Sequence, residues 1–265
     1  MYTINFRYFI EPKQDEPIEW CQDSCDFSLT RFAISDGVTN SFMPRFWAQQ
    51  LTHNFVSIDK GTLNFEECAR IKWNLLVKEF IEKTDNIYLE NAYNDGMAAA
   101  ATFVGLEILL SENKWNAQAI GDSFLIFVPM EYKNKQKIIT LSTLKKEEGA
   151  FVFDNYPDYL SSDIHSQRGS YNYLKDQPLE EGTFYLMTDA LAQWLFKNLY
   201  CRISTLEAIH TAEHFSKFIL EYRSDQSLKD DDTTLFIINI TKKDLIKPLK
   251  KETFFDKFIY NWFKK

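Results

Sequence analysis

The stretch FAISDGVTNS, residues 32–41, decides how the rest of this chain is read. Leu29 to Ser35 is a short apolar run of strand character, and Asp36-Gly37 halts it with turn chemistry. Beyond the turn, Asn40 or Ser41 can cap a helix with Pro44 in its first turn, along which Trp47, Leu51 and Phe55 recur every four residues. A rigid strand ending in a carboxylate can aim that side chain into a cleft. The same arrangement recurs in FYLMTDALAQWL, residues 184–195, where a strand over Phe184 to Thr188 ends at Asp189 and a helix over Ala190 to Leu199 follows.

Working outward, a second helix is expected from about Phe65 to Ile81, and Ala98 to Leu110 and Trp115 to Ile120 read as strands. Gly121-Asp122-Ser123 then turns the chain into Phe124 to Val128, which predicts a meander with tight connections. Ile138 to Leu141 adds a strand, Thr205 to Tyr222 a helix, and Thr234 to Ile240 a last strong strand preceded by Asp230-Asp231-Asp232. From Lys145 to Pro178 the pattern weakens into polar and aromatic residues, so residues 145–178 are expected to form an irregular flap or insertion. Runs of antiparallel strands interrupted by helix pairs point to a layered α+β class rather than regular βαβ alternation.

The 265 residues are 45% hydrophobic and 26% charged, enough to bury a sizeable core, and the 23 Phe are expected to supply much of it. A net charge of −8 disfavours binding to a phosphate backbone, so nucleic acid is not an expected partner. Cys21, Cys25, Cys68 and Cys201 show no repeated CxxC spacing and are expected to be free thiols, although Cys21 and Cys25 lie close enough in sequence to pair or to bind metal. No apolar run approaches the ~18 residues that span a bilayer. The start, MYTINFRYFIEPKQDEP, lacks the apolar centre of a signal peptide, so a cytoplasmic location is expected.

Asp36, Asp122, Asp189 and Asp231 each lie at a strand-loop junction. Taken singly, each is an ordinary turn residue. If they converge, electrostatics makes a demand, because two carboxylates ~4 Å apart repel by roughly 4 kcal/mol at an effective dielectric near 20. Such a cluster must hold protons or cations. Oxygen donors with few His or Cys nearby suit Mg²⁺ or Mn²⁺ rather than zinc.

Taken together, these residues resemble the metal-dependent Ser/Thr protein phosphatases of type 2C, in a divergent bacterial-type form. CQDS at 21–24 is similar to the family's first acidic motif, FAISDGVTNS at 32–41 to its Asp-Gly motif, and AAATFVGLEI at 99–108 to its Thr-containing central strand. AIGDSFLIF at 119–127 resembles the Gly-Asp-Ser turn, FYLMTDALAQWL the Thr-Asp motif, and DDTTLFII at 231–238 the final acidic motif. No single motif is specific, but six follow in the family's order from about Gln22 to Ile240. The resemblance implies a four-layer α-β-β-α sandwich, two central antiparallel sheets flanked by helices, over residues 1–241. It implies that Asp36 bridges two Mn²⁺ or Mg²⁺ ions with Gly37 as a backbone ligand, that Asp189 and Asp231 complete the first site, and that Asp122 helps hold a third, weaker ion. Asp23 would lie beside the site, and Asp232 would replace Asp231 if the register slips by one.

The activity implied is hydrolysis of phosphoserine or phosphothreonine in proteins by a metal-activated water, with Asp36, Asp189 and Asp231 catalytic and a Ser/Thr kinase or its target as partner. Several positions depart from the family. The Arg that grips the substrate phosphate has its equivalent near Ile18, Gln22 stands where an acidic residue is usual, Val38-Thr39-Asn40-Ser41 replaces the common Gly pair, GDSF lacks the following Arg, and TDA replaces TDG. Losing a charged hydrogen bond to phosphate costs on the order of 1.5–3 kcal/mol; Arg31, Arg45 or Arg168 are the candidates to supply another. The alternative reading is a regulatory pseudophosphatase that keeps the fold as a binding module.

Two further patterns compete for attention. His210-Thr-Ala-Glu213-His214 fits the H-x-x-E-H order of zinc peptidases, but the helical phase of Leu206, Ile209, Phe215 and Ile219 puts both histidines on the polar face. The tail, residues 242–265, carries eight Lys against three acidic residues, a net +5 that leaves −13 for the remainder. Phe254, Phe258 and Trp262 recur every four residues there, giving a basic amphipathic helix suited to an anionic membrane surface, a partner groove or its own domain.

Overall fold

The computed structural model describes residues 1–57, 64–130, 138–154 and 156–242, so the basic tail lies outside the described residues apart from Lys242. The chain runs through β1 (Tyr2–Glu11), β2 (Asp23–Phe27), β3 (Arg31–Asp36), α1 (Pro44–Ser57), α2 (Phe65–Thr84) and α3 (Ile87–Asn94). Strands β4 (Ala100–Ala101), β5 (Phe103–Leu109), β6 (Lys114–Ile120), β7 (Phe124–Pro129) and β8 (Ile139–Leu141) follow. Next come β9 (Lys146–Glu147), β10 (Ala150–Phe151), β11 (Leu160–Ser161), β12 (Asn172–Pro178) and β13 (Gly182–Met187). Helices α4 (Asp189–Phe196), α5 (Leu199–Glu207) and α6 (Ala212–Ser224) lead to the last strand, β14 (Thr233–Lys242).

Two five-stranded sheets form the centre, ordered β1-β14-β13-β7-β8 and β12-β6-β5-β3-β2, and every pairing within them is antiparallel. Strands buried on both faces explain the layering. In β7, Leu125 and Phe127 enter the core between the sheets, while Phe124, Ile126 and Val128 face α4, α5 and α6. Tyr185 and Met187 against Phe184 and Leu186 repeat that division in β13, and Leu235 and Ile237 against Phe236 and Ile238 repeat it in β14. On the other sheet, Phe32 and Ile34 point inward and Ala33 meets the α1 and α2 layer. The architecture is the α-β-β-α sandwich. Aromatic rings fill its middle: Phe184 lies 5.0 Å from Trp115 and 4.4 Å from Phe127, centroid to centroid.

The structure corrects the meander. Strands β5 and β6 do pair as neighbours, but β7 belongs to the opposite sheet, so Gly121-Asp122-Ser123 carries the chain from one sheet to the other. Gly121 adopts φ +98°, and a Cβ there would lie 2.5 Å from Thr102 Cβ and 2.8 Å from the Asp158 carbonyl oxygen. Gly121→Ala is expected to cost about 2 kcal/mol or more, read from the urea unfolding midpoint. A loss under about 0.5 kcal/mol would show that this crossing tolerates a side chain.

Other segments also differ from expectation. Within residues 145–178, Asn172–Pro178 is an edge strand paired with β6, so the irregular stretch is shorter than the polarity suggested. The helix expected over Thr205 to Tyr222 breaks at residues 208–211, where Thr211 caps α6 by accepting from the His214 N–H at 3.2 Å. His210 is therefore off the helix that carries His214, which removes the i, i+4 geometry of a zinc pair. Strands β1 and β2 and helix α3 go unnoticed in the sequence pattern, and β1 pairs with β14 over ten residues. All four cysteines are free thiols. No helix among the described residues is long and apolar enough to cross a membrane.

Candidate active site

Asp36 ends β3 directly opposite Asp23, which begins β2. Phe32 and Ile34 face the inter-sheet core, so strand alternation keeps Asp36 on that same face, at the rim where the core opens. From the other sheet, Thr188 at the end of β13 and Thr234 in β14 donate hydroxyl hydrogen bonds of 2.9 and 2.8 Å to Asp23 Oδ2. Asp23 thus ties the rims of the two sheets together. Its Oδ1 is buried with no hydrogen-bond partner.

Gly37 follows at the closest approach of the strand to α1. A side chain there would begin 2.9 Å from Pro44 Cβ and 3.0 Å from the Gln22 carbonyl oxygen, so only glycine fits without movement. Behind Asp36, the Thr102 hydroxyl lies 2.7 Å from the Ser123 hydroxyl, and Thr102 N–H donates to the Asp36 carbonyl at 2.8 Å. That chain of contacts links the Asp-Gly turn to the sheet crossing, where Asp122 is buried and its Oδ1 also lacks a partner.

Asp189 is the first residue of α4, behind Thr188 at the N-cap position, and its Oδ1 accepts the Ala190 N–H at 2.6 Å. Its Oδ2 sits 3.3 Å from Lys229 Nζ, which is also 2.6 Å from Asp231 Oδ2. The other Asp231 oxygen meets Lys13 Nζ at 3.1 Å. Asp232 is used differently, its two oxygens accepting the backbone N–H groups of Lys13 and Gln22 at 3.0 and 2.7 Å.

The charges are in range of one another. Burial holds Asp36 well above the usual carboxylate range, and Asp23, Asp189, Asp122 and Asp231 add to the effect. Burial does the same to Asp23, reinforced by Asp232 and opposed by the hydrogen bonds from Thr234 and Thr188. Asp122 is pushed up to about 7 by burial and then by Asp189. Asp189 is raised by burial against the pull of Lys229. Asp231 goes the other way, because Lys229 and Lys13 outweigh its burial, and Lys229 is raised in return by Asp189 and Asp231.

Among the described residues, no three His, Cys, Asp or Glu side chains meet as a ready-made metal cage. The carboxylates border a region rather than a point, with Asp189 and Asp231 each turning an oxygen to Lys229. The donor set is nonetheless all oxygen and net negative. Two of its buried oxygens, Asp23 Oδ1 and Asp122 Oδ1, have no partner. Both features suit a hard divalent cation.

No protein-family model matches the sequence, and no curated protein matches it. Solved structures do. The Ser/Thr phosphatase Stp1 from Staphylococcus aureus superposes with a TM-score of 0.58 at 16% identity, over 91% of this chain and 96% of that one. The catalytic domain of the Ser/Thr phosphatase PstP, in complex with two manganese ions, gives 0.57 at 11% identity over 91% and 100%. The photosystem II phosphatase PBCP gives 0.53 at 13% identity over 91% and 99%. The fold is that of the type 2C protein phosphatases.

Within this type 2C fold, several residues at the site escape the sequence reading. Lys229 and Lys13 are the cations that reach Asp231; the available signal was a lysine immediately before the acidic run at residues 230–232. Arg223 is buried on α6, donates to the carbonyls of Pro12 and Asp231, and so fixes the turn that carries Asp231. Of the arginines offered as phosphate ligands, Arg31 pairs with Glu107 at 2.9 Å, toward the far end of β3 from Asp36. Arg168 lies over the Tyr156 ring. Arg45, on the first turn of α1, lines a cavity of about 430 Å³ together with Asp23, Cys21 and His53. Ile18, near which the resemblance places an arginine of the family, is 51% exposed.

Proposed function

We propose that this chain is a metal-dependent phosphatase that hydrolyses phosphoserine and phosphothreonine in proteins, acting in the cytoplasm in signalling opposite a Ser/Thr kinase. The observation that carries the reading is the setting of Asp36: a carboxylate at the rim of a type 2C sandwich, surrounded by the charges of Asp23, Asp189, Asp122 and Asp231. Asp36 and the Gly37 carbonyl are assigned to two Mn²⁺ or Mg²⁺ ions, Asp189 and Asp231 complete the first site, and Asp122 serves a third, weaker one. Asp231 is preferred over Asp232, because both Asp232 oxygens are already held by backbone N–H groups.

When bound, such ions lower the pKa of a coordinated water and neutralise the phosphoryl oxygens. The chain's own part is to hold the oxygen donors in place. Asp23, locked by Thr188 and Thr234, keeps the two sheet rims in register, and Asp232 fixes the backbone at Lys13 and Gln22. The other reading, a pseudophosphatase serving as a binding module, draws on the exposed Ile18 and on the lysine already seated between Asp189 and Asp231.

Hydrolysis of p-nitrophenyl phosphate and of a phosphothreonine peptide, with Mn²⁺ or Mg²⁺ and with an EDTA control, separates the two. Metal-dependent turnover abolished by EDTA is expected. Tight Mn²⁺ binding without turnover of either substrate would favour the binding module.

A further inference from the structure

Lys229 occupies an unusual place for a lysine whose side chain is 48% exposed. Its neighbour Leu228 is 2% exposed and anchored through its N–H to the Tyr222 carbonyl at 2.9 Å, so the backbone beside Lys229 is fixed. From that anchor, the ammonium reaches Asp231 Oδ2 at 2.6 Å and Asp189 Oδ2 at 3.3 Å, bridging a carboxylate from each of two separate elements. Those elements are the start of α4 and the turn before β14. Lys13 at 3.1 Å neutralises only the remaining oxygen of Asp231.

We propose that Lys229 is a tethered counter-cation of the carboxylate cluster, holding Asp189 and Asp231 together in the metal-free protein and competing with a divalent ion for the same two oxygens. The inference rests on the metal-site reading above. An ammonium and a divalent cation cannot share that space, because like charges a few ångström apart repel strongly in a partly buried site. Binding the metal therefore requires Lys229 to swing out. Its exposed, flexible side chain and the solvent beside it permit this. The device stabilises the apo protein and weakens its hold on metal, so occupancy would respond to the concentration of free divalent ion rather than being permanent.

The test uses the full chain with Lys229→Met and, should that variant fold poorly, Lys229→Gln. Lys217→Met, which removes only a surface contact to Glu213, is the control. Thermal unfolding without metal and calorimetric titration with Mn²⁺ are the readouts. Both Lys229 variants are expected to melt lower than wild type in EDTA, yet to bind Mn²⁺ about tenfold more tightly and to gain more in melting temperature when metal is added. The control should match wild type in both. Wild type and variants binding Mn²⁺ equally, or the variants more weakly, would overturn the competition while leaving the metal site standing. Failure of every form to bind Mn²⁺ would instead remove the metal-site reading, and this inference with it.

Discussion

On the proposed metal assignment, Asp36→Asn and Asp189→Asn should each reduce metal-dependent phosphoester hydrolysis by at least about a thousandfold, since each would remove a charged oxygen donor and with it several kcal/mol of stabilisation. The expected companion result is what makes the experiment informative. Asn keeps the shape of Asp and removes its charge. Asp36 stands among four other carboxylates in a poorly solvated place, so Asp36→Asn should leave the metal-free protein at least as stable as wild type, and more stable by about 1 kcal/mol. A ligand role and a purely structural role thus predict opposite stability changes. Calorimetric Mn²⁺ titration and unfolding in EDTA, run beside the activity assay, read both. Activity that survives in both variants would overturn the site assignment, and so would a large loss of apo stability in Asp36→Asn.

The second large effect is expected at a residue remote from any reacting atom. Arg223 donates to the Pro12 carbonyl at 2.8 Å, to the Asp231 carbonyl, and to Thr233 Oγ1 at 3.4 Å. Its Nε lies 3.4 Å from Asp230 Oδ1, close enough for charge attraction though not aligned as a hydrogen bond. One buried guanidinium therefore pins the segment after β1 and the acidic turn before β14. Arg223→Met would take the guanidinium donor from the half-buried Pro12 carbonyl, leave the Asp231 carbonyl with the Thr233 hydroxyl, and leave Asp230 without its partner, and should cost about 3 kcal/mol of stability. Since the Asp231 backbone is one of its partners, Mn²⁺ affinity should fall as well. Arg223→Lys, which keeps the charge but loses the fork, should recover only part of either quantity. A change below about 1 kcal/mol in the urea midpoint would mean that the turn is held by its other contacts.

Much of this protein is written locally. The two-faced apolar runs of Phe124 to Val128 and Thr234 to Ile240 mark strands buried on both sides, and Asp36-Gly37 and Thr188-Asp189 mark where strands end on carboxylates. Such features depend on side-chain period and turn chemistry within a few residues, which any stretch of sequence displays by itself. The order of the six short motifs from Gln22 to Ile240 was likewise enough to indicate the sandwich.

What the sequence leaves open are relations between distant segments. It shows a turn at Gly121 but not that the chain changes sheets there, because the choice of pairing partner depends on what else competes for each strand edge. It hides β1, whose mixed polar pattern makes sense only once β14 lies beside it, and β12, a mostly exposed edge. It puts Asp231 ahead of Asp232 only by resemblance, and does not show that Asp232 meets the backbone of Lys13 and Gln22. Nor does it foresee Lys229 between Asp189 and Asp231, forty and two residues away, because charge pairing follows distance in space and the folded chain alone sets that distance. The sequence by itself determined the strongly apolar strands and where carboxylates end them, because both signals lie within a few residues; tertiary structure decided which of those carboxylates border one region, and which cations answer them, because that depends on how distant segments pack.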